Sequence, residues 1–334
     1  MQYTKGGKGR VNYLDNISGL LILEMIFLCH VRVFTIDSGP NNLIHHLYYF
    51  FIFFMPWFFY KSGSFYKKTG VYESIKYDMK KLLLPYVVFT LYAYVIQVVC
   101  MLIMNEPLIP EKLIWEQLNS IVITGGIPWN VPLWFLLILF LAKNLYNILN
   151  KIINDFIIIS VALLLAFYSN IEPFSTFWIG ASSLAVFFYG LGIKLRDIQF
   201  NKYVVMISVL IYVARYFFSL LSDWDARLNK VGDSDVYFFV IIIMVSGIIL
   251  INNFFRKYYD KSDGILIFLG KKAMFLYVLH YPFVLISNFY ILPFLKIENV
   301  YVNFCISSCF VAFCLFVSVV ICGYLNELVR IIKV

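Results

Sequence analysis

Histidine is the side chain best suited to moving a proton at neutral pH, and the four in this chain all fall in apolar runs, His45 and His46 at the outer start of one and His30 and His280 further inside theirs. His30 follows Glu24 by six residues in one run, about 9 Å further along a helix at 1.5 Å per residue. His280 lies in YVLHYPF, three positions after Tyr277 and therefore on the same helical side. Arg215 stands in a third run. Glu24, His30 and Arg215 could line a water-accessible cavity in which His30 is the natural proton acceptor. The same residues admit a structural account. Glu24 and Arg215 would then pair to fix helix register, His30 would be satisfied by a carbonyl, and His280 would satisfy the carbonyl that Pro282 leaves open. Arg32 and Lys61 lie near the ends of apolar runs, where long side chains snorkel to headgroups.

The elements that position these groups follow from composition. Of 334 residues, 62% are hydrophobic and 14% charged, outside the balance of a water-soluble chain. Apolar runs fall at 13–34, 43–65, 82–104, 132–150, 152–169, 174–194, 203–222, 236–255, 267–293 and 300–329. At about 20 residues per span, they predict a single all-α integral membrane domain over 1–334 with about ten transmembrane helices. With the N-terminus inside, 20 Lys and Arg fall in the inner connecting segments, and Lys112, Arg227, Lys230 and Lys296 alone in the outer ones. That bias marks cytoplasmic loops and puts both termini in the cytoplasm. The net charge of +8 therefore reports topology and no nucleic-acid partner. All six cysteines lie in apolar stretches without metal-ligand spacing, so they read as small core hydrophobes and no metal is expected. The first run is long and lacks a small-residue cleavage site, so it is expected to remain as a span.

Two connecting segments stand out. The inner YKKTGVYESIKYDMKKLLLPY, from Tyr66, carries five lysines. They serve either topology and anionic lipid or the phosphates of a cytoplasmic anionic cofactor. The outer segment 105–131 contains TGGIPWNVP, whose Gly and Pro residues cannot make a regular helix and which is expected to fold back over a cavity.

The stretch RVNYLDNISGLLILEMIFLCH, Arg10 to His30, resembles the opening helix of the bacterial membrane-bound acyltransferase-3 family, integral membrane O-acetylases of surface glycans. FFMPWFFYKSGSFYKK from Phe53, YDMKKLLLPY, PLWFLLILF from Pro132 and LGKKAMFLYVLHYPFVL from Leu269 resemble later segments of that family, in order. Two departures stand out: Ser18 occupies the place of a family cation, and the family histidine lies one residue earlier, at Cys29. On an ideal helix the family's cation and histidine, 11 residues apart, share a face to about 20°, whereas Ser18 and His30 differ by about 120°. Either the first helix is locally distorted or His30 reaches the cavity from another angle. The missing cation is either vacant or supplied by Arg215 or Lys61.

The resemblance implies transfer of an acyl group, most often acetyl, from cytoplasmic acyl-CoA to a sugar hydroxyl at a bacterial inner membrane. His30 is then the expected base, with Asp15 and Glu24 in the catalytic set. Lys76, Lys80 and Lys81, with Arg10 second, would hold the coenzyme A phosphates. Ser62, Trp134, Arg215, Tyr277 and His280 would lie on the substrate side. The partners implied are the lipid bilayer, acyl-CoA and a glycan or lipid-linked sugar, and a homo-oligomer is compatible with them. The competing readings are a glycan exporter and a catalytically idle relative, the latter prompted by Ser18.

Overall fold

The computed structural model describes residues 11–36, 43–107, 109–171, 177–217, 224–225, 227, 229–231, 234–259 and 264–332. The described residues are overwhelmingly helical. The first helix, α1, runs Asn12–Thr35, followed by α2 (Leu43–Phe50), α3 (Phe54–Ser64) and α4 (Val71–Ile103). Then come α5 (Pro110–Thr124), α6 (Trp134–Leu149), α7 (Asp155–Ile171), α8 (Phe177–Leu195) and α9 (Lys202–Phe217). A two-stranded hairpin pairs β1 (Trp224–Asp225) with β2 (Lys230–Val231). It precedes α10 (Tyr237–Tyr258), α11 (Ile265–Lys271), α12 (Ala273–Leu295) and α13 (Val300–Ile332).

Among the described residues, seven helices are long and apolar enough to cross a membrane. Two connecting segments prove more helical than expected. The lysine-rich stretch is helical from Val71, as the first two turns of α4. The segment 105–131 contains α5, which runs antiparallel beside α4. Gln117 Nε2 donates to Gln97 Oε1 at 3.2 Å, and Tyr86 hydroxyl donates to the Gly125 carbonyl at 3.1 Å. Gly125 closes α5 in the left-handed region at φ 70°, which glycine adopts without strain. The chain thus returns into the bundle at TGGIPWNVP.

The alternation of basic segments is visible as contact. Tyr66 hydroxyl donates to Asn147 Oδ1 at 3.1 Å, Lys143 pairs with Asp78 at 2.6 Å, and Lys194 pairs with Asp155. Arg256 donates to the Tyr13 hydroxyl and the Arg196 carbonyl at 2.9 and 3.1 Å. These bonds tie the start of α1, α4 and α7 to the close of α3, α6, α8 and α10, defining one basic end of the bundle. At the opposite end, Asn229 of the hairpin segment donates to the Ala166 carbonyl of α7 at 2.8 Å.

α1 is the axial helix, packed along α10 and α11, while α3 packs along α8. Glycine sets the closest approach: a Cβ on Gly19 would strike the Leu266 carbonyl, and one on Gly270 the Asp15 carbonyl. With lipid tails as apolar as the helices, such backbone-to-backbone packing is what holds membrane helices together. Gly270→Leu should therefore lower the detergent melting temperature by roughly 5–10 °C or more. Gly323→Leu, whose added carbon meets nothing within 4 Å, should leave it unchanged; equal melting temperatures would refute the packing account.

Candidate active site

Within α1, the eight residues Glu24–Val31 form a π-helix, in which each amide bonds the fifth carbonyl back and not the fourth; Arg32 N–H, for example, bonds the Phe27 carbonyl. Each residue then turns about 80° where an α-helix turns about 100°. Six α-helical steps from Ser18 to Glu24 and six π-helical steps to His30 sum to about three full turns. Ser18 and His30 consequently share a face, which an uninterrupted α-helix would deny them.

That face brings His30 to His280 of α12. His30 Nδ1 and His280 Nε2 are 2.7 Å apart, with ring centroids at 4.8 Å, and Tyr281 meets the His30 ring edge-on at 5.1 Å. His280 is fully buried and its Nδ1 lies 2.7 Å from the Tyr277 carbonyl, which can only accept. His280 Nδ1 therefore carries a proton, and in the neutral pair its Nε2 accepts from His30 Nδ1–H. His30 is left with its lone pair on Nε2. The bond chain leaves the available lone pair on half-buried His30, and His280 orients that ring.

The carbonyl that Pro282 leaves without an amide partner is that of Val278, four residues back. Asn130, in the irregular segment after α5, donates to it through Nδ2 at 2.8 Å, while Tyr277 hydroxyl donates to the Pro132 carbonyl. The GGIPWNVP segment is thus fastened onto the turn that carries His280. Sequence reading named Pro282 but missed Asn130, whose only signal was its place in that segment.

Toward the basic end lies a cavity of about 270 Å³ between α1, α3, α4, α6, α11 and α12. Lys61 and Lys271 border it, with Ser18, Ser62 and Tyr277. Lys61 Nζ donates to Ser18 Oγ at 2.5 Å and sits 3.4 Å from Asp15 Oδ1, while Ser18 hydroxyl donates to the Leu14 carbonyl at 2.7 Å. Lys61 is not simply snorkelling to a headgroup. It delivers an ammonium group to Ser18, on the same face as His30.

The remaining predicted residues disperse. Glu24 is 3% exposed and neither carboxyl oxygen has a hydrogen-bond partner. The charge that reaches it is that of Arg32, and it is not joined to His30 or Arg215. Arg32 is itself buried, its Nε donating to the Leu28 carbonyl at 2.9 Å and its guanidinium 4.6 Å over Tyr48. Arg215 Nη1 donates to the Tyr49 carbonyl at 3.1 Å, and Tyr212 hydroxyl to that of Phe50. These carbonyls end α2 where residues 51–53 interrupt the helix, so α9 satisfies backbone that lipid cannot. Trp134 is buried among Phe59, Phe135 and Phe177. Lys76, Lys80 and Lys81 are exposed along the start of α4. Arg10 lies outside the described residues.

A family model described as an acyltransferase domain matches residues 11–325. The chain belongs to that acyltransferase family. No curated protein and no solved structure matches it. Both departures of this acyltransferase from the motif pattern are answered in its structure: Lys61 brings a cation to Ser18, and the π-helix absorbs the residue that displaces His30. The second point is testable by shortening the chain. Deleting Cys29 restores an 11-residue spacing that an α-helix alone keeps on one face, to about 20°. The deletion should hold acyl transfer within about threefold of the native rate. Inserting an alanine after Glu24 should abolish transfer in folded protein; the reverse pattern would refute the register argument.

Proposed function

We propose that this acyltransferase moves an acetyl group from acyl-CoA, on the cytoplasmic side, to a hydroxyl of a cell-surface or lipid-linked sugar. In this reading it spans a bacterial inner membrane about ten times, with the basic end and both termini in the cytoplasm. The observation that carries it is the His30–His280 hydrogen bond, which leaves one imidazole nitrogen ready to accept a proton. As the sugar oxygen attacks the thioester carbonyl, His30 Nε2 takes the hydroxyl proton. The C–S bond then breaks, and the same proton passes to the departing coenzyme A thiolate, giving ester and free thiol. His280 Nε2 accepts a charge-assisted hydrogen bond from His30 while His30 is protonated.

The cavity at the basic end would take the reactive arm of the donor, with its phosphates near the exposed Lys76, Lys80 and Lys81. Lys61 offers a positive charge inside that cavity, and Asp15 positions Lys61. The Lys61 ammonium at Ser18 supports an active enzyme over an idle relative. Ser62 lies on the donor side and Tyr277 supports the His280 turn, whereas Glu24, Trp134 and Arg215 are left with structural roles.

His30→Gln should remain folded and keep saturable thermal stabilisation by acetyl-CoA while losing 100-fold or more in transfer rate. His280→Gln should lower kcat about 10- to 100-fold with little change in the acetyl-CoA KM. Retention of a third of the native rate in His30→Gln would contradict the assignment, and absence of any acyl-CoA response in folded native protein would sink the donor.

A further inference from the structure

The basic-end cavity has a direction, and four helices agree on it. α1 and α12 run away from the basic end, so Ile22 lies about 6 Å deeper than Ser18, and Tyr277 about 6 Å deeper than Ala273. α3 and α6 run toward it, so Phe58 lies deeper than Lys61 and Ser62, and Phe135 and Leu136 deeper than Leu139. Sorted this way, the mouth carries Lys61, Lys271, Ser18 and Ser62, and the far wall is Ile22, Phe58, Phe135, Leu136 and Tyr277. Ile22 and Leu136 are at most 1% exposed, and Phe58 and Phe135 meet edge-to-face at 6.2 Å. The far wall is therefore packed protein, backed at Tyr277 by the carbonyl that holds His280.

A ligand suited to this space has a polar or anionic end at the mouth and a short apolar end at the wall. At about 270 Å³ the cavity falls at or below the lower limit of whole small-molecule sites, roughly 300–1,000 Å³, so it takes one arm of a donor and not the whole molecule. Resting on the acyl-CoA reading above, we infer that the far wall of this cavity limits the donor to short acyl chains, with Phe58 and Leu136 as the residues that set the limit. Each methylene forced against a packed apolar wall costs a factor of about 10–200 in specificity, because the wall yields only by leaving its rotamers.

The test uses membranes carrying the full chain and follows release of the coenzyme A thiol from acetyl-, butyryl-, hexanoyl- and octanoyl-CoA. Native protein should prefer acetyl over hexanoyl at least tenfold. Phe58→Ala and Leu136→Ala should each raise the hexanoyl-to-acetyl ratio tenfold or more. Leu136→Phe should move the limit the other way, losing butyryl. Native use of octanoyl-CoA as fast as acetyl-CoA, or an unchanged ratio in the variants with melting temperatures intact, would overturn the inference and leave the acyltransferase reading standing. Thiol release from none of the four thioesters would remove that reading, and the inference with it.

Discussion

A hydrogen bond between two imidazoles, one on the first long helix and one on the twelfth, is the constraint around which this bundle is arranged. His30 can reach His280 only because α1 widens into a π-helix over Glu24–Val31. His280 can accept only because the Tyr277 carbonyl occupies its other nitrogen. That carbonyl lies on a turn already broken by Pro282, and the opening at Val278 is closed by Asn130 from a segment too rich in Gly and Pro to form helix. Irregular backbone inside a membrane protein persists only where protein satisfies it. Here the two irregular stretches satisfy each other, and their meeting point is the histidine pair.

The charged groups follow the same economy of partners. Lys61 rests on Ser18 and Asp15, Arg215 on a carbonyl at the end of α2, and Lys143 on Asp78. Loops at the basic end are cross-linked by tyrosine, asparagine and arginine, so the basic segments also bind helix ends together. Glu24 is the exception, buried without a hydrogen bond. It belongs with Arg32, Cys29 and Tyr48, which are coupled to it electrostatically, and apart from the histidines.

The all-α membrane architecture was legible in the sequence, and so was the break in helix at TGGIPWNVP, because apolar run length and Gly/Pro content act locally and strongly. The family motifs were legible for the same reason, as short fixed spacings. The π-helix was not, since EMIFLCHV is almost wholly apolar and leaves no periodicity from which to read a change of turn angle; only the one-residue shift of His30 hinted at it. Lys61 read as a snorkelling residue because a long side chain near a helix end has two destinations, and only packing chooses between them. Grouping Glu24 and Arg215 with His30 failed because a shared burial cost does not imply a shared cavity. The start of α4 looked like a loop because lysines obscure a helix that carries little apolar surface.

The account stands or falls on which nitrogen of His30 holds the proton. With four histidines in the chain, nitrogen-15 magnetic resonance of histidine-labelled protein can be assigned by His30→Gln and His280→Gln. In the neutral form, His30 should carry its proton on Nδ1 and show coupling across the bond to His280 Nε2, with His280 protonated on Nδ1. A His30 protonated on Nε2, or no coupling between the two rings in folded protein, would contradict the proposal that His30 is the base.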